Sequence, residues 1–294
     1  DAIRERQESV QKQLEQDEIP DGEGVQFGEG KPEGELAFMF TGSAAVYPRM
    51  GRGLLSAFPE LRQRLSKLDK AEEIAPLLAR ASLSEFEQLC AGTLLSQAHA
   101  ILLQDILGVK ADAALGLSLG ESNALFAFGF WRDSGALLDE ISDAAMYERH
   151  IGGDFETAKK AWGPNVPADW TNWRVQAPVE AVKAEVTQHD GVEITIIYSR
   201  TDCMIGGPAE ACRQVCAALG PGSGAKMHQH LIVHAKAMQP FAETWRRLHT
   251  RKLHKGKDVR LYANAINAAY EPTSELAADM LTRQAVDTVN FPPT

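Results

Sequence analysis

Six consecutive residues, Gly116-Leu117-Ser118-Leu119-Gly120-Glu121, carry the clearest chemistry in the chain. They fit G-x-S-x-G, the pattern that sets a serine on a sharp turn between a strand and a helix. The turn strains its central residue, so its neighbours must be small. It lifts the serine oxygen clear of the sheet and puts the Leu119 N–H at a helix N-terminus, where a developing oxyanion is stabilised. Ser118 is therefore a candidate nucleophile, and such a serine needs a base. Eight histidines could supply it: His99, His150, His189, His228, His230, His234, His249 and His254. Spacing alone does not choose among them.

The flanking sequence has the elements such a turn requires. Ala113 to Gly116 is a short apolar run that reads as a buried strand, and Leu119 to Phe130, rich in Ala, Leu and Phe, reads as a buried helix. Leu36 to Phe40 before Thr41-Gly42-Ser43 predicts another buried strand. Helices are predicted over Met50–Leu68, Ala71–Arg80 and Leu83–Ile106. Strand, turn and helix repeated in this way give an α/β core with parallel strands. Val192–Tyr198 predicts a strand, Pro208–Leu219 a helix, Lys226–Val233 an alternating strand and Val259–Ala263 a further strand. The β–α–β stretch around the hinge Gly220-Pro221-Gly222-Ser223-Gly224 fits a small insert. Ile3 to Ile19 reads as a polar helix, followed by turn-rich Gly, Pro and Glu to Gly34, the composition of a linker.

Composition bounds the rest. With 294 residues, 44% of them hydrophobic, the chain can bury one large domain or a large and a small one. A net charge of -10 argues against a nucleic-acid role, because phosphate binding needs a basic footprint. The basic stretch Trp245–Lys257 reads as a solvated helix face, or as a patch for an acidic carrier protein or coenzyme A phosphates. Four cysteines are too few for a disulfide framework, which suggests a reducing cytoplasm, and no apolar run is long enough to span a bilayer. His228, His230 and His234 would share a face of a strand, but no Cys-x-x-Cys pair frames them, so no metal site is predicted. The chain opens on Asp1 and not on Met, as expected either of a processed chain or of a fragment cut from a longer one.

Taken in order, the motifs resemble malonyl-CoA:acyl-carrier-protein transacylases and the acyltransferase domains of polyketide and fatty acid synthases. Phe40-Thr41-Gly42 with Tyr47-Pro48-Arg49-Met50-Gly51 is similar to the family's F-T-G-Q-G-S-Q-Y-x-x-M-G. Thr93 and Gln97 sit where it has a T…Q before a buried helix. Leu107 to Asp112 and then Gly116 to Glu121 resemble G-V-x-P-D…G-H-S-x-G-E. His234 with Met238 and Pro240 resembles H-x-x-x-M-x-P, Tyr262-Ala263-Asn264 matches Y-S-N, and Gln284 to Phe291 resembles the closing Q-L-x-x-P-V-x-F. Gly116 to Ala127 and Phe130-Trp131-Arg132-Asp133 are most similar to iterative, enediyne-type synthases.

The resemblance implies a fold and a set of roles. The fold is a larger α/β-hydrolase-like domain with a parallel sheet, over residues 35–159 and 232–294. A small ferredoxin-like α+β subdomain over residues 160–231 joins it, and residues 1–34 form a linker from a preceding domain. Ser118 is implied as nucleophile and His234 as its base in a Ser–His dyad, with a backbone carbonyl at or near Gln284 orienting the imidazole. The N–H groups of Leu119 and Ser43 are implied as the oxyanion hole, and Gln97 and Asn264 as substrate-binding. An arginine should grip the malonyl carboxylate with its planar fork. The ungapped position holds Asp143, which leaves Arg149, or else Arg132, for that task. Malonyl-CoA would be the substrate and the phosphopantetheine thiol of an acyl carrier protein the acceptor, with no bound cofactor and with neighbouring synthase domains as partners. Ser43 to Val46, Leu117 and Leu231-Ile232-Val233 depart from the family's pattern. A serine hydrolase such as a thioesterase, or a degenerate docking module, are the alternative readings.

Overall fold

The computed structural model describes residues 2–16, 33–45, 47, 49–163 and 168–293. The chain divides into two units, Asp1–Glu35 and Leu36–Thr294. The first contains helix α1 (Ala2–Glu15), whose Glu, Gln and Arg residues leave few apolar positions to bury. The end of the predicted Ile3–Ile19 helix, and the connector as far as Pro32, lie outside the described residues.

The second unit runs through β1 (Ala37–Phe40), α2 (Arg52–Ala57), α3 (Pro59–Leu65), α4 (Ala71–Ile74), α5 (Glu85–Ile101), β2 (Ala113–Gly116), α6 (Leu119–Ala127) and α7 (Ser134–Asp143). It continues with α8 (Glu156–Trp162), β3 (Trp170–Val175), α9 (Val179–Val186), β4 (Glu193–Ser199), β5 (Asp202–Pro208), α10 (Ala209–Ala218) and β6 (Gly224–Lys226). It closes with α11 (Ala242–His249), β7 (Arg260–Ala263), β8 (Ala268–Tyr270), α12 (Ser274–Val286) and β9 (Val289–Asn290).

The first sheet has the order β1-β2-β7-β8. Its first three strands are parallel and β8 folds back on β7. β1 and β2 pair in register from Ala37 with Ala113 to Phe40 with Gly116, so they end level and their following loops emerge side by side. Helix α6 packs on this sheet, with Phe128 just beyond it against Phe38 and Phe40. The predicted helix over Met50–Leu68 is broken at Phe58-Pro59. Proline forces the residue before it out of the helical region, and Phe58 takes φ −121°, ψ 86° while Pro59 opens α3.

The second sheet has the order β6-β3-β5-β4, with β9 added parallel at the free edge of β4. The chain order β3-α9-β4-β5-α10-β6 is the ferredoxin-like βαββαβ arrangement. Its core contains Val175, Val182, Ile205, Cys212 and Val215. The predicted strand over Lys226–Val233 is not formed: only Gly224–Lys226 pairs, with β3. Beyond it, side chains take two of the backbone N–H groups, while the N–H groups of Met227 and Ile232 donate to the carbonyls of Asn172 and Ile151. Glu85 accepts from the His230 N–H at 2.7 Å, and Asn172 Oδ1 accepts from the Leu231 N–H at 3.0 Å. Among the described residues, no helix is long and apolar enough to cross a membrane.

Candidate active site

Ser118 lies between the end of β2 and the start of α6, at φ 58°, ψ −122°. L-residues seldom occupy that region, and holding one there costs on the order of 1–3 kcal/mol. The crowding that forces the turn is visible in its glycines. A Cβ added to Gly120 would lie 2.2 Å from the carbonyl oxygen of Phe40, and one on Gly116 would lie 2.0 Å from the carbonyl carbon of Gly120. Both contacts are with backbone that cannot step aside. Gly120→Ala is therefore expected to destabilise the fold by about 3 kcal/mol, read as a lower urea midpoint.

His234 also has positive φ, at 60°. Its loop is tied to the end of α12: the His234 N–H donates to the carbonyl of Ala285 at 2.7 Å, and the Ala235 N–H shares that oxygen at 3.3 Å. The last carbonyls of a helix have no partner within it. Gln284 supplies another of them, and it accepts from His234 Nδ1 at 2.7 Å. A carbonyl can only accept, so Nδ1 carries the proton and Nε2 is left as an acceptor. That Nε2 lies 2.8 Å from Ser118 Oγ, across 116 residues of sequence.

His234 is buried, and burial lowers its pKa to about 4 against the opposing pull of the Gln284 carbonyl. The imidazole is thus neutral and able to accept a proton throughout the physiological range. If this pair does chemistry, its rate should stay level between pH 8 and about pH 5, and fall only as pH drops toward 4. A pH–rate profile with an inflection near 6.5, the value of a free histidine, would contradict this. The linked stability effect has the same direction. A depressed histidine pKa penalises the fold as pH falls through 6.5 toward 4, where the unfolded chain takes up a proton that the fold does not.

Ser118 and His234 stand where two cavities meet. An outer one of about 310 Å³ runs between the two sheets, lined by Phe40 and Gly42 on one side and by Asn172, Ile196 and Tyr198 on the other. An inner one of about 60 Å³ extends behind the serine toward α5, α7 and α12. Ser43 lines both, and Leu119 lines the inner one. The loop after β1 comes right up to the turn: a Cβ on Gly42 would lie 3.5 Å from that of Ser118.

The other predicted site residues are placed unevenly. Gln97 is buried on α5, its amide 3.5 Å from the Thr93 carbonyl, and it does not line either cavity. Asn264 is also outside both cavities and lies one layer below the pair: its N–H donates to Glu121 Oε1 at 2.6 Å, and its side-chain oxygen accepts from Gln284 Nε2 at 3.3 Å. Arg149 stands away from both cavities, more than half exposed and bound to Glu156 at 2.6 Å, and Arg132 is exposed and lines neither. Neither arginine therefore lies beside Ser118 in this arrangement of the chain. The stretch after Ala145 makes a π-helical turn, Met146–His150, that carries Tyr147 to the inner cavity instead.

Sequence reasoning missed Glu121, quoted as part of the motif but given no role. It is buried one turn along α6 from Ser118, and burial pushes its carboxyl up to about 8 despite hydrogen bonds from the Asn264 N–H and the Gln284 side chain. Its place in the chain could have been read: position i+3 from Ser118 on a helix wholly packed in the core faces inward.

Comparison with known proteins identifies the fold. The fold is that of malonyl-CoA:acyl carrier protein transacylases and of polyketide synthase acyltransferase domains. The transacylase of Helicobacter pylori superposes with a TM-score of 0.73 at 17% identity, covering 88% of this chain and 82% of that one. The acyltransferase domain from the second module of the salinomycin polyketide synthase gives 0.70 at 18% identity, covering 98% of this chain and 65% of that one. By sequence, a polyunsaturated fatty acid synthase polypeptide of a Thraustochytrium species is 26% identical over 204 residues, 67% of this chain and 10% of that protein. The chain spans a tenth or less of such curated relatives, which include highly reducing polyketide synthases. No family model matches it.

Proposed function

We propose that this chain is a double-displacement acyltransferase in which Ser118 carries the acyl group. The observation that carries the reading is the relay from the Gln284 carbonyl through His234 to Ser118 Oγ, at 2.7 and 2.8 Å, opening on a cleft between two sheets. Ser118 Oγ attacks the carbonyl of a coenzyme A thioester while His234 Nε2 takes its proton. The oxyanion is held by the N–H groups of Leu119 and Ser43. The tetrahedral adduct then expels coenzyme A, and the proton on His234 passes to the departing sulfur. The phosphopantetheine thiol of an acyl carrier protein next gives its proton to His234 and attacks the acyl-serine, and that proton passes to the departing Ser118 Oγ, which restores the free serine and the neutral imidazole. Splitting the transfer in this way replaces one difficult step with two easier ones. No step calls for a metal. Residence in a multidomain synthase for polyketide or fatty-acyl assembly fits the relatives, and the enediyne subtype rests on the residues around Ser118 alone.

The malonyl unit implied by the family resemblance would call for an arginine at its carboxylate, and among the described residues no arginine lines either cavity beside Ser118. Arg149→Ala is accordingly expected to leave acylation by any acyl-CoA within about twofold of wild type, because an exposed ion pair contributes little. A loss of a hundredfold with malonyl-CoA alone would restore the clamp. The test of the overall reading is intact-mass spectrometry with a panel of acetyl-, malonyl-, butyryl- and hexanoyl-CoA, followed by addition of a holo carrier protein. An adduct on wild type but not on Ser118→Ala, discharged by the carrier thiol, is the expected result. Steady release of coenzyme A without any acceptor would make the protein a hydrolase. Neither adduct nor release would leave it a docking module.

A further inference from the structure

We infer that the acyl group Ser118 accepts is an uncharged, short-to-medium aliphatic chain, seated in the inner cavity, and not a malonyl-type unit bearing a free carboxylate. This rests on Ser118 being the acyl carrier and goes on to the identity of what it carries.

The walls of the inner cavity carry the argument. Leu89, Phe126, Leu137, Leu138, Ile141 and Leu281 converge on it from α5, α6, α7 and α12. Among the described residues, no Arg, Lys, Asp or Glu lines it. Its polar groups are hydroxyls and amides, among them Ser122, Ser134 and Gln284, together with Tyr147 and two histidines. The second histidine, His249, is buried, with Nδ1 on the Trp245 carbonyl at 2.8 Å, and burial lowers its pKa to about 4, so it brings no charge at neutral pH. Tyr147 is held as the neutral phenol by burial.

The only arginine or lysine buried among the described residues is Arg251, and it is already committed. It donates to Asp133 at 2.8 Å and to Glu140 at 2.9 Å, and it does not line the cavity. A carboxylate in that cavity would give up its water and find no counter-charge, which is far more costly than burying methylenes there. An aliphatic tail gains from the same surface, about 0.8 kcal/mol per methylene. Space sets the length. A volume of about 60 Å³ admits a few small groups beyond the serine, so a short-to-medium chain fits and a long one does not. The outer cavity, shared with solvent, remains for the pantetheine arm.

The acyl-CoA panel tests this through relative rates of adduct formation on the whole chain. Butyryl- or hexanoyl-CoA should acylate Ser118 about 100-fold faster than malonyl-CoA, and butyryl-CoA about 10-fold faster than acetyl-CoA. A second variant ties the preference to the inner cavity. Leu138→Phe, which fills it, should cut the hexanoyl adduct more than 10-fold and the acetyl adduct far less, with an unchanged urea midpoint reporting an intact fold. A malonyl adduct forming as fast as the butyryl one overturns the inference and leaves Ser118 as the acyl carrier. Unchanged hexanoyl acylation of Leu138→Phe overturns the seat assigned to the chain. No adduct from any donor overturns the inference together with the reading beneath it.

Discussion

Replacing Ser118 with alanine should abolish the acyl adduct and lower transfer to a carrier thiol by about 10⁴-fold, measured by single-turnover mass spectrometry. His234→Ala should cost nearly as much, and the double variant little more than either alone, because the two side chains act as one unit at 2.8 Å. A summed effect in the double variant would show that they act separately. The same position predicts a gain in stability. Ser118 is held at φ 58°, where a Cβ is strained and glycine is not. Ser118→Gly should therefore be inactive yet more stable than wild type by about 1 kcal/mol, seen as a higher urea midpoint. Equal or lower stability in that variant would mean that the turn is imposed by the motif's glycines without strain at its centre.

The contrast between the elbow and the rest of the site shows what a sequence can reveal. Gly116 and Gly120 are legible because a backbone requirement dictates residue type: no side chain fits where Phe40 and Gly120 already stand. The parallel strands of the first sheet follow from apolar runs and turn residues, whereas the ferredoxin-like sheet is implied by the family resemblance and only β4 of it is legible as an apolar run. β5 escapes such reading because it ends in Gly206-Gly207-Pro208, the punctuation of a turn. In the fold Gly206 is a packing residue, since its missing side chain makes room for the Trp170 indole. His234 could be selected among eight histidines only through the acyltransferase resemblance, since its partner lies 116 residues away and the group that orients it is a backbone carbonyl. Any residue at Gln284 would offer that carbonyl. Arg149 illustrates the converse. An arginine that grips a substrate and one that meets Glu156 at the surface have the same signature in sequence. The neutral lining of the inner cavity could not be read at all, because its leucines come from separate helices and look like ordinary core.

Glu121→Gln is expected to change how stability depends on pH more than any other substitution near the site. Glu121 lies beneath the Ser–His pair, accepting from the Asn264 N–H at 2.6 Å, and burial pushes its carboxyl up to about 8. Below the unfolded value of about 4.5, both folded and unfolded chains hold the proton and no penalty exists. As pH rises from 4.5 to 8, the unfolded chain releases it and the fold does not, so stability falls across that window. Above 8 the full penalty, on the order of 5 kcal/mol, is present. Glutamine keeps an oxygen for the Asn264 N–H and has no proton to lose. The variant should therefore match wild type near pH 4.5 and exceed it by several kcal/mol at pH 8.5, with urea midpoints at the two values as the readout. Taking the difference between the two proteins removes His234 and His249, whose depressed pKa values act in the opposite direction and at lower pH. A constant difference across the window would mean that Glu121 is ionised in the fold, as an anion held beneath the nucleophile. That charge would raise the basicity of His234, so the two accounts also separate in the pH–rate profile. A protonated Glu121 leaves the profile of Glu121→Gln superimposable on wild type below pH 7, whereas an ionised one shifts the acid limb of the variant to lower pH.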